Sequence, residues 1–206
     1  MASRKQRYLV DQLVKEGHLK TNKIIKTFLS VPRENFVPRE YRHHAYIDEP
    51  LPIGFGQTIS APHMVAIMTE LLKPDKKDKV LEIGSGSGYQ AAILSKLVKK
   101  VFTIELDRNL AEFSRENLKK TRIRNVKIIQ GDGSRGYSKE APYDKIIVTC
   151  AGKEIPKPLI AQLKNRGIIV APVGGEWYQD LILGIKKGKK LETKNYGGCV
   201  FVLLRH

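Results

Sequence analysis

Cysteine is scarce in this sequence, with only Cys150 and Cys199 among 206 residues. They form no C-x-x-C pair and have too few companions for zinc. A disulfide scaffold and a structural metal are therefore excluded, no metal ligands are assigned, and a reducing, cytoplasmic setting is expected. No apolar run approaches the roughly 18 residues of a membrane-spanning helix. The basic start, Met1 to Arg7, lacks the apolar stretch of a signal peptide. Internal repeats and low-complexity segments are absent. Acids are also outnumbered, 21 against 37 bases, for a net charge of +16.

That surplus would attract polyanions at long range. The bases are dispersed, however: they recur in the first forty residues, from Lys96 to Lys127 and from Lys186 to Lys194, without one tail of interleaved aromatics. Such spacing reads as solvated helix faces, so no specific nucleic-acid partner is expected; no membrane association is expected either, and the chain is taken to be a monomer. With 41% hydrophobic and 28% charged residues, the chain has ordinary globular usage. Its length suits one core, residues 61–206, preceded by a helical extension and loop, residues 1–60.

Leu9, Leu13, Ile24, Ile25, Phe28 and Leu29 recur at helical spacing around Gly17, which predicts two short amphipathic helices. Prolines at 32, 38, 50 and 52 predict a mostly irregular stretch as far as Gly54-Phe55-Gly56. Ser60 then precedes Pro62 and an apolar-periodic segment to Leu72, the pattern of an N-cap hydroxyl followed by a helix. Beyond it the chain alternates in βαβ rhythm. The predicted strands are Lys79–Ile83, Lys100–Ile104, Val126–Gln130, Lys145–Val148 and Gly167–Val173; the clearest helices are Tyr89–Val98 and Arg108–Lys120. Leu181–Ile185 and Cys199–Leu204, separated by the polar Lys186–Asn195, read as a terminal antiparallel pair. The expected fold is α/β: a doubly wound, mostly parallel sheet with helices on both faces.

The sharpest motif is Val80-Leu81-Glu82-Ile83-Gly84-Ser85-Gly86-Ser87-Gly88-Tyr89, a buried strand running into a glycine turn and then a helix. There the backbone can approach a ligand closely. Glu105 ends the second strand, where an acid commonly accepts from both ribose hydroxyls. The third glycine comes one position too early for a dinucleotide fingerprint, and Tyr89 stands where a small residue is wanted. Glu82 near the strand end would repel phosphates and attract a cation. S-adenosylmethionine fits that combination, with its sulfonium and ammonium and no phosphate. Asp132, in Gly131-Asp132-Gly133 after the third strand, could receive an adenine amino group. The bland alternative is turn glycines and helix-capping acids.

For the methyl acceptor, the Asn/Asp-Pro-Pro-aromatic loop of amino-adenine methylation is absent from Val148-Thr149-Cys150-Ala151-Gly152. Cys150 is placed as a cytosine-C5 nucleophile would be, but it has no preceding proline and no base before Lys153 to lower its pKa. A small buried thiol is the simpler reading.

The segment Asp48-Glu49-Pro50-Leu51-Pro52-Ile53-Gly54-Phe55-Gly56-Gln57-Thr58-Ile59-Ser60-Ala61-Pro62-His63-Met64 closely resembles the hallmark stretch of protein-L-isoaspartate O-methyltransferases. The resemblance continues through Leu81 to Gly88, Gly131-Asp132-Gly133, Ala141 to Asp144, Leu159 to Leu163 and Val170 to Gly174. It implies a Rossmann-like class I methyltransferase fold. The implied activity is transfer from S-adenosyl-L-methionine, leaving S-adenosyl-L-homocysteine, to the carboxylate of L-isoaspartyl or D-aspartyl residues in damaged proteins and peptides. It further implies that Ser60 is the active-site hydroxyl and that Thr58, Ile59, Ser60 and His63 wrap the cofactor. Glu82 and Gly84, Ser85, Gly86, Ser87 and Gly88 would hold its methionine part, Glu105 and the adjoining Leu106 the ribose side, and Asp132 with Gly133 the adenine. Peptide contact is assigned to Ile53, Gly54 and Ile59 in the loop and to Val200, Phe201 and Val202 in the last strand. The family's C-terminal strand commonly ends Val-Pro-Leu, whereas this chain has Val202-Leu203-Leu204. The competing readings are a basic nucleic-acid methyltransferase and a non-catalytic adenosyl-binding protein.

Overall fold

The computed structural model describes residues 2–205. Two amphipathic helices open it, α1 (Arg4–Lys15) and α2 (Asn22–Ser30), on either side of Gly17. They are not a free appendage. Leu9, Leu13, Ile24 and Phe28 share one buried core with α3 (Pro62–Leu72) and α4 (Tyr89–Ser95). The Glu70 carboxylate of α3 accepts from the N–H groups of Lys20 and Thr21, each at 2.8 Å, and from the Thr21 hydroxyl at 2.6 Å. An anion thus sits at the positive end of α2.

The segment between α2 and α3 is more ordered than its prolines predict. Short 3-10 turns at Arg33–Phe36 and Arg39–His44 lead into a hairpin of β1 (Leu51–Gly54) and β2 (Gln57–Ile59). Pro52 takes an exposed position on this two-stranded ribbon, where a missing N–H costs little. Gly54, Phe55 and Gly56 turn the tip at φ of 89°, 54° and 67°.

The main sheet contains β3 (Lys79–Ile83), β4 (Lys100–Glu105), β5 (Val126–Gln130), β6 (Tyr143–Val148), β7 (Leu163–Gly174), β8 (Gln179–Lys187) and β9 (Lys190–Cys199). Their spatial order is β5-β4-β3-β6-β7-β8-β9, parallel from β5 to β7 and antiparallel thereafter. Leu81, Ile83, Phe102 and Ile104 pack on one face, against Leu159 of α6 (Lys157–Gln162). Val80 and Val101 pack on the other, with α3, α4 and α5 (Arg108–Lys120). The fold class is as expected. No helix among the described residues is long and apolar enough to cross a membrane.

The end of the sheet corrects the sequence reading. Most of the polar stretch predicted as a connection, residues 190–195, belongs to β9, its first two lysines end β8, and the turn lies at Gly188 (φ 60°). This edge strand is exposed at most positions, so hydrophobicity does not announce it; pairing with β8 makes it. Residues 200–204 are not its continuation. They cross to the end of β6, where Ala151 donates to the Val202 carbonyl and accepts from the Leu204 N–H, both at 2.8 Å.

The winding leaves a crevice. From β3 the chain proceeds outward through β4 and β5, and β6 then pairs on the other side of β3. The carboxyl ends of β3 and β6 therefore form the topological switch point, where doubly wound sheets bind ligands.

Candidate active site

The glycine turn occupies that switch point. Gly84, Gly86 and Gly88 have φ of 92°, 52° and 85°, which side chains disfavour. Space closes two of them as well: a Cβ on Gly84 would lie 2.5 Å from Thr149 Oγ1, and one on Gly88 2.7 Å from Ser114 Oγ. The Thr149 hydroxyl donates to the carbonyls of Ile83 and Gly84, at 2.9 and 2.7 Å, joining the two sides of the crevice. Glu105 is held at both oxygens. Oε2 accepts from the Gly86 N–H at 2.8 Å and Oε1 from the Asp107 N–H at 3.2 Å. Each oxygen keeps a lone pair for a ligand hydroxyl. Around these groups lies a cavity of about 340 Å³, within the range of small-molecule sites.

Ser60 stands at the mouth, between β2 and α3. It is not the helix cap that the sequence predicts: Ala61 is the N-cap, and the α3 terminus is met by the Asp48 side chain, which accepts from the His63 N–H at 2.8 Å. The chain is already extended at Ala61, with Pro62 first in the helix, so Ser60 is one residue too early. Among the described residues no hydrogen bond engages its hydroxyl, whereas its carbonyl accepts from Arg33 Nη1 at 2.8 Å. Arg33 is 1% exposed and has no carboxylate partner among the described residues. Its charge is met by the carbonyls of Ser60 and Glu49 and by the Tyr89 ring, whose centroid lies 5.3 Å away. Burial lowers its pKa from 12.5 to about 10, leaving it charged at neutral pH. One cation thereby ties the Ser60 loop to the first residue of α4.

A second, open depression of about 780 Å³ adjoins the cavity. Gly198 to Leu203 run along it, and Gln57, Thr58, Ser60, Thr149, Val202, Leu203 and Arg205 line both spaces. The cavity beside the glycine turn and the adjoining groove thus meet at Ser60.

A model of the protein-L-isoaspartate(D-aspartate) O-methyltransferase family matches residues 4–206. The chain belongs to that family. It is 51% identical over 210 residues to the protein-L-isoaspartate O-methyltransferase of Staphylothermus marinus, covering 97% of this chain and 93% of that one. Its identity to the Ignicoccus hospitalis enzyme of the same name is 53%, covering 97% of both chains. Among solved structures, a Plasmodium falciparum chain described as a protein-L-isoaspartate O-methyltransferase, in complex with S-adenosyl-L-homocysteine, superposes with a TM-score of 0.86. That pair is 26% identical, covering 98% of this chain and 99% of the other. A further protein-L-isoaspartate O-methyltransferase superposes with a TM-score of 0.90 at 31% identity, covering 98% of this chain and 66% of that one. The cofactor of this methyltransferase is S-adenosylmethionine.

In this isoaspartate methyltransferase, ten of the residues assigned to the cofactor line the cavity: Thr58, Ile59, Ser60, Gly84, Ser85, Gly86, Ser87, Glu105, Leu106 and Gly133. The geometry fits an adenosyl group, with a bare glycine cradle and a fixed carboxylate side by side. Four others lie outside it. Gly88 shapes the turn from behind. His63 lines the groove, and Asp48 holds it, accepting from the His63 backbone N–H at 2.8 Å and lying 3.1 Å from Nδ1. Asp132 Oδ1 accepts from the Ser134 N–H and hydroxyl, and Oδ2 pairs with Arg135, so only Gly133 reaches the ligand space. Glu82 is fully buried, and among the described residues neither oxygen meets a donor in hydrogen-bond geometry. Burial pushes its carboxyl up to about 8, opposed by the neighbouring Thr103 hydroxyl and reinforced by the Glu105 charge.

Of the peptide-contact residues, Val200, Phe201 and Val202 line the groove and Ile59 the cavity. Ile53 is buried and lines neither; its Cδ1 lies 3.4 Å from where a Gly86 Cβ would be, so it supports the glycine turn. Gly54 belongs to the hairpin tip. Sequence reasoning missed Arg33 and Thr149. Thr149 follows β6 at the switch point, a place that could have been searched, whereas nothing in the sequence distinguishes Arg33 from the surface bases. Burial holds the Cys150 thiol up at about 12, away from nucleophilic use.

Proposed function

We propose that this chain esterifies the α-carboxylate of L-isoaspartyl residues, and the β-carboxylate of D-aspartyl residues, in damaged polypeptides. The methyl ester then collapses to a succinimide, part of which reopens as normal aspartate. One observation carries the residue-level reading: Ser60, with its hydroxyl unengaged, is common to the cavity beside the glycine turn and the adjoining groove.

S-adenosylmethionine, when bound, supplies an electrophilic methyl on a sulfonium. The work left to the protein is modest in chemistry and demanding in geometry. An isoaspartyl carboxylate has a reference pKa near ~3.5–4 and is already the nucleophile at neutral pH, so no general base is needed. His63 is engaged by Asp48 and is not asked to be one. The glycine turn, Glu105 and Leu106 hold the adenosyl end, and the groove holds the peptide in extended form along residues 200–203. Ser60 donates to one carboxylate oxygen and aims the other. Closing the mouth removes water whose solvation of both ions opposes reaction.

The test uses methyl-labelled cofactor with an isoaspartyl peptide, its aspartyl twin and total RNA. Base-labile label on the isoaspartyl peptide alone is expected; alkali-stable label in RNA would overturn the reading. In Ser60→Ala, kcat should fall about tenfold to a hundredfold, the worth of a hydrogen bond to a charged group. Because Ser60 caps no helix, the melting temperature should not move. Wild-type turnover in that variant would remove Ser60 from the mechanism.

A further inference from the structure

The groove has an apolar rim that peptide backbone contacts do not require. Trp177, Tyr178 and Val200 are 85%, 62% and 73% exposed. Trp177 and Tyr178 form the tip of the β7–β8 hairpin, directly after Glu176, which lines the groove. The Tyr178 ring lies on Gly198, another groove residue: a Cβ there would be 2.9 Å from Tyr178 Cε2. Isolated exposed apolar side chains are ordinary, but adjoining ones beside a binding groove mark a contact surface.

This tip is also held rigidly. Gln179 is fully buried, and its Nε2 donates to the Gly175 carbonyl at 2.7 Å and the Phe201 carbonyl at 3.3 Å. Its Oε1 accepts from the Phe201 N–H at 2.6 Å. A single amide therefore clamps the hairpin to the groove wall, and the Tyr178 hydroxyl donates to Asp180 at 3.1 Å. An anchored hairpin backbone and a bonded Tyr178 lower the ordering cost of binding, and aromatic side chains are enriched where polypeptides dock.

From this we infer that Trp177, Tyr178 and Val200 form a subsite for an apolar side chain of the client polypeptide flanking its isoaspartyl residue. The inference rests on the proposed peptide methylation and names what the enzyme prefers beside the damaged residue. Continuity of the rim with the groove that reaches Ser60 selects this occupant. The subsite acts on binding, so it sets KM and leaves the transfer step alone.

Trp177 is the sole tryptophan, so its emission reports occupancy directly. Isoaspartyl peptides with leucine placed in turn at each flanking position are compared with the all-glycine-flanked peptide. At the subsite position, leucine should lower KM by about tenfold, the value of partly burying one apolar side chain. It should also shift the tryptophan emission to the blue. Trp177→Ala should erase that preference by raising KM for the leucine peptide only, with kcat and the melting temperature unchanged, and Trp177→Phe should restore most of it. A leucine preference that survives Trp177→Ala would overturn the inference, as would a methylated leucine peptide that leaves the emission unmoved at saturation. Absence of methylation on every isoaspartyl peptide would instead overturn the underlying function, and this inference with it.

Discussion

Replacing Arg33 by methionine separates positioning from stability. Keeping the guanidinium charged in its pocket costs about 3 kcal/mol, because its pKa falls from 12.5 to about 10 and a pH unit is worth ~1.4 kcal/mol. Methionine ends that cost. It leaves the Ser60 and Glu49 carbonyls without their donor, at about 1–3 kcal/mol each, and loses the contact with the Tyr89 ring, about 1 kcal/mol. Together these effects leave a net loss between about zero and about 4 kcal/mol, so denaturant unfolding of Arg33→Met should show a loss of no more than about 4 kcal/mol. Turnover should respond as well. Without the 2.8 Å bond to its carbonyl, Ser60 is no longer held between cavity and groove, and kcat should fall about as far as in Ser60→Ala, tenfold to a hundredfold. Since both changes act through one hydroxyl, the double variant should fall no further than the worse single one. Independent, multiplying effects would refute the tether, as would a folded Arg33→Met with wild-type kcat.

Glu82 should make the cofactor-free protein less stable as pH rises. Between about 4.5 and about 8 the native state holds a proton that the unfolded state has released, so stability declines through that window. Glu82→Gln lacks this proton, and its advantage over wild type in guanidinium unfolding should open between pH 5 and 8.5, with a ceiling of roughly 5 kcal/mol; a constant difference would contradict the raised pKa of the buried carboxyl. Glu105→Gln loses a charged acceptor beside the cavity and should weaken cofactor binding by calorimetry about tenfold to a hundredfold. Unchanged affinity would place the ribose elsewhere. Cys150→Ser should keep turnover within about twofold, and the native thiol should resist iodoacetamide at pH 8, given its pKa of about 12. Rapid alkylation that abolished activity would reopen a thiol mechanism.

The sequence by itself determined the doubly wound core, because its information there is local. Strands β3 and β5, helices α3 and α5, and the glycine turn all follow from apolar periodicity and turn chemistry over a few adjacent residues. The family hallmark from Asp48 to Met64 likewise lies in one unbroken stretch. Only the tertiary structure decided what depends on distant partners. Strand β9 is exposed and polar, so its existence comes from hydrogen bonds to β8 and not from any pattern of its own. Ser60 matches the composition of a helix cap, but the backbone places the cap at Ala61 and leaves the hydroxyl to the site. Arg33 reads as one more base in a basic protein until folding buries it against a carbonyl 27 positions away. Residues 200–204 carry the hydrophobicity of a strand, yet their bonds to Ala151 turn them into the wall of a groove. Side-chain periodicity is written along the chain, whereas burial and free hydrogen-bonding groups are settled by what the rest of the chain brings alongside.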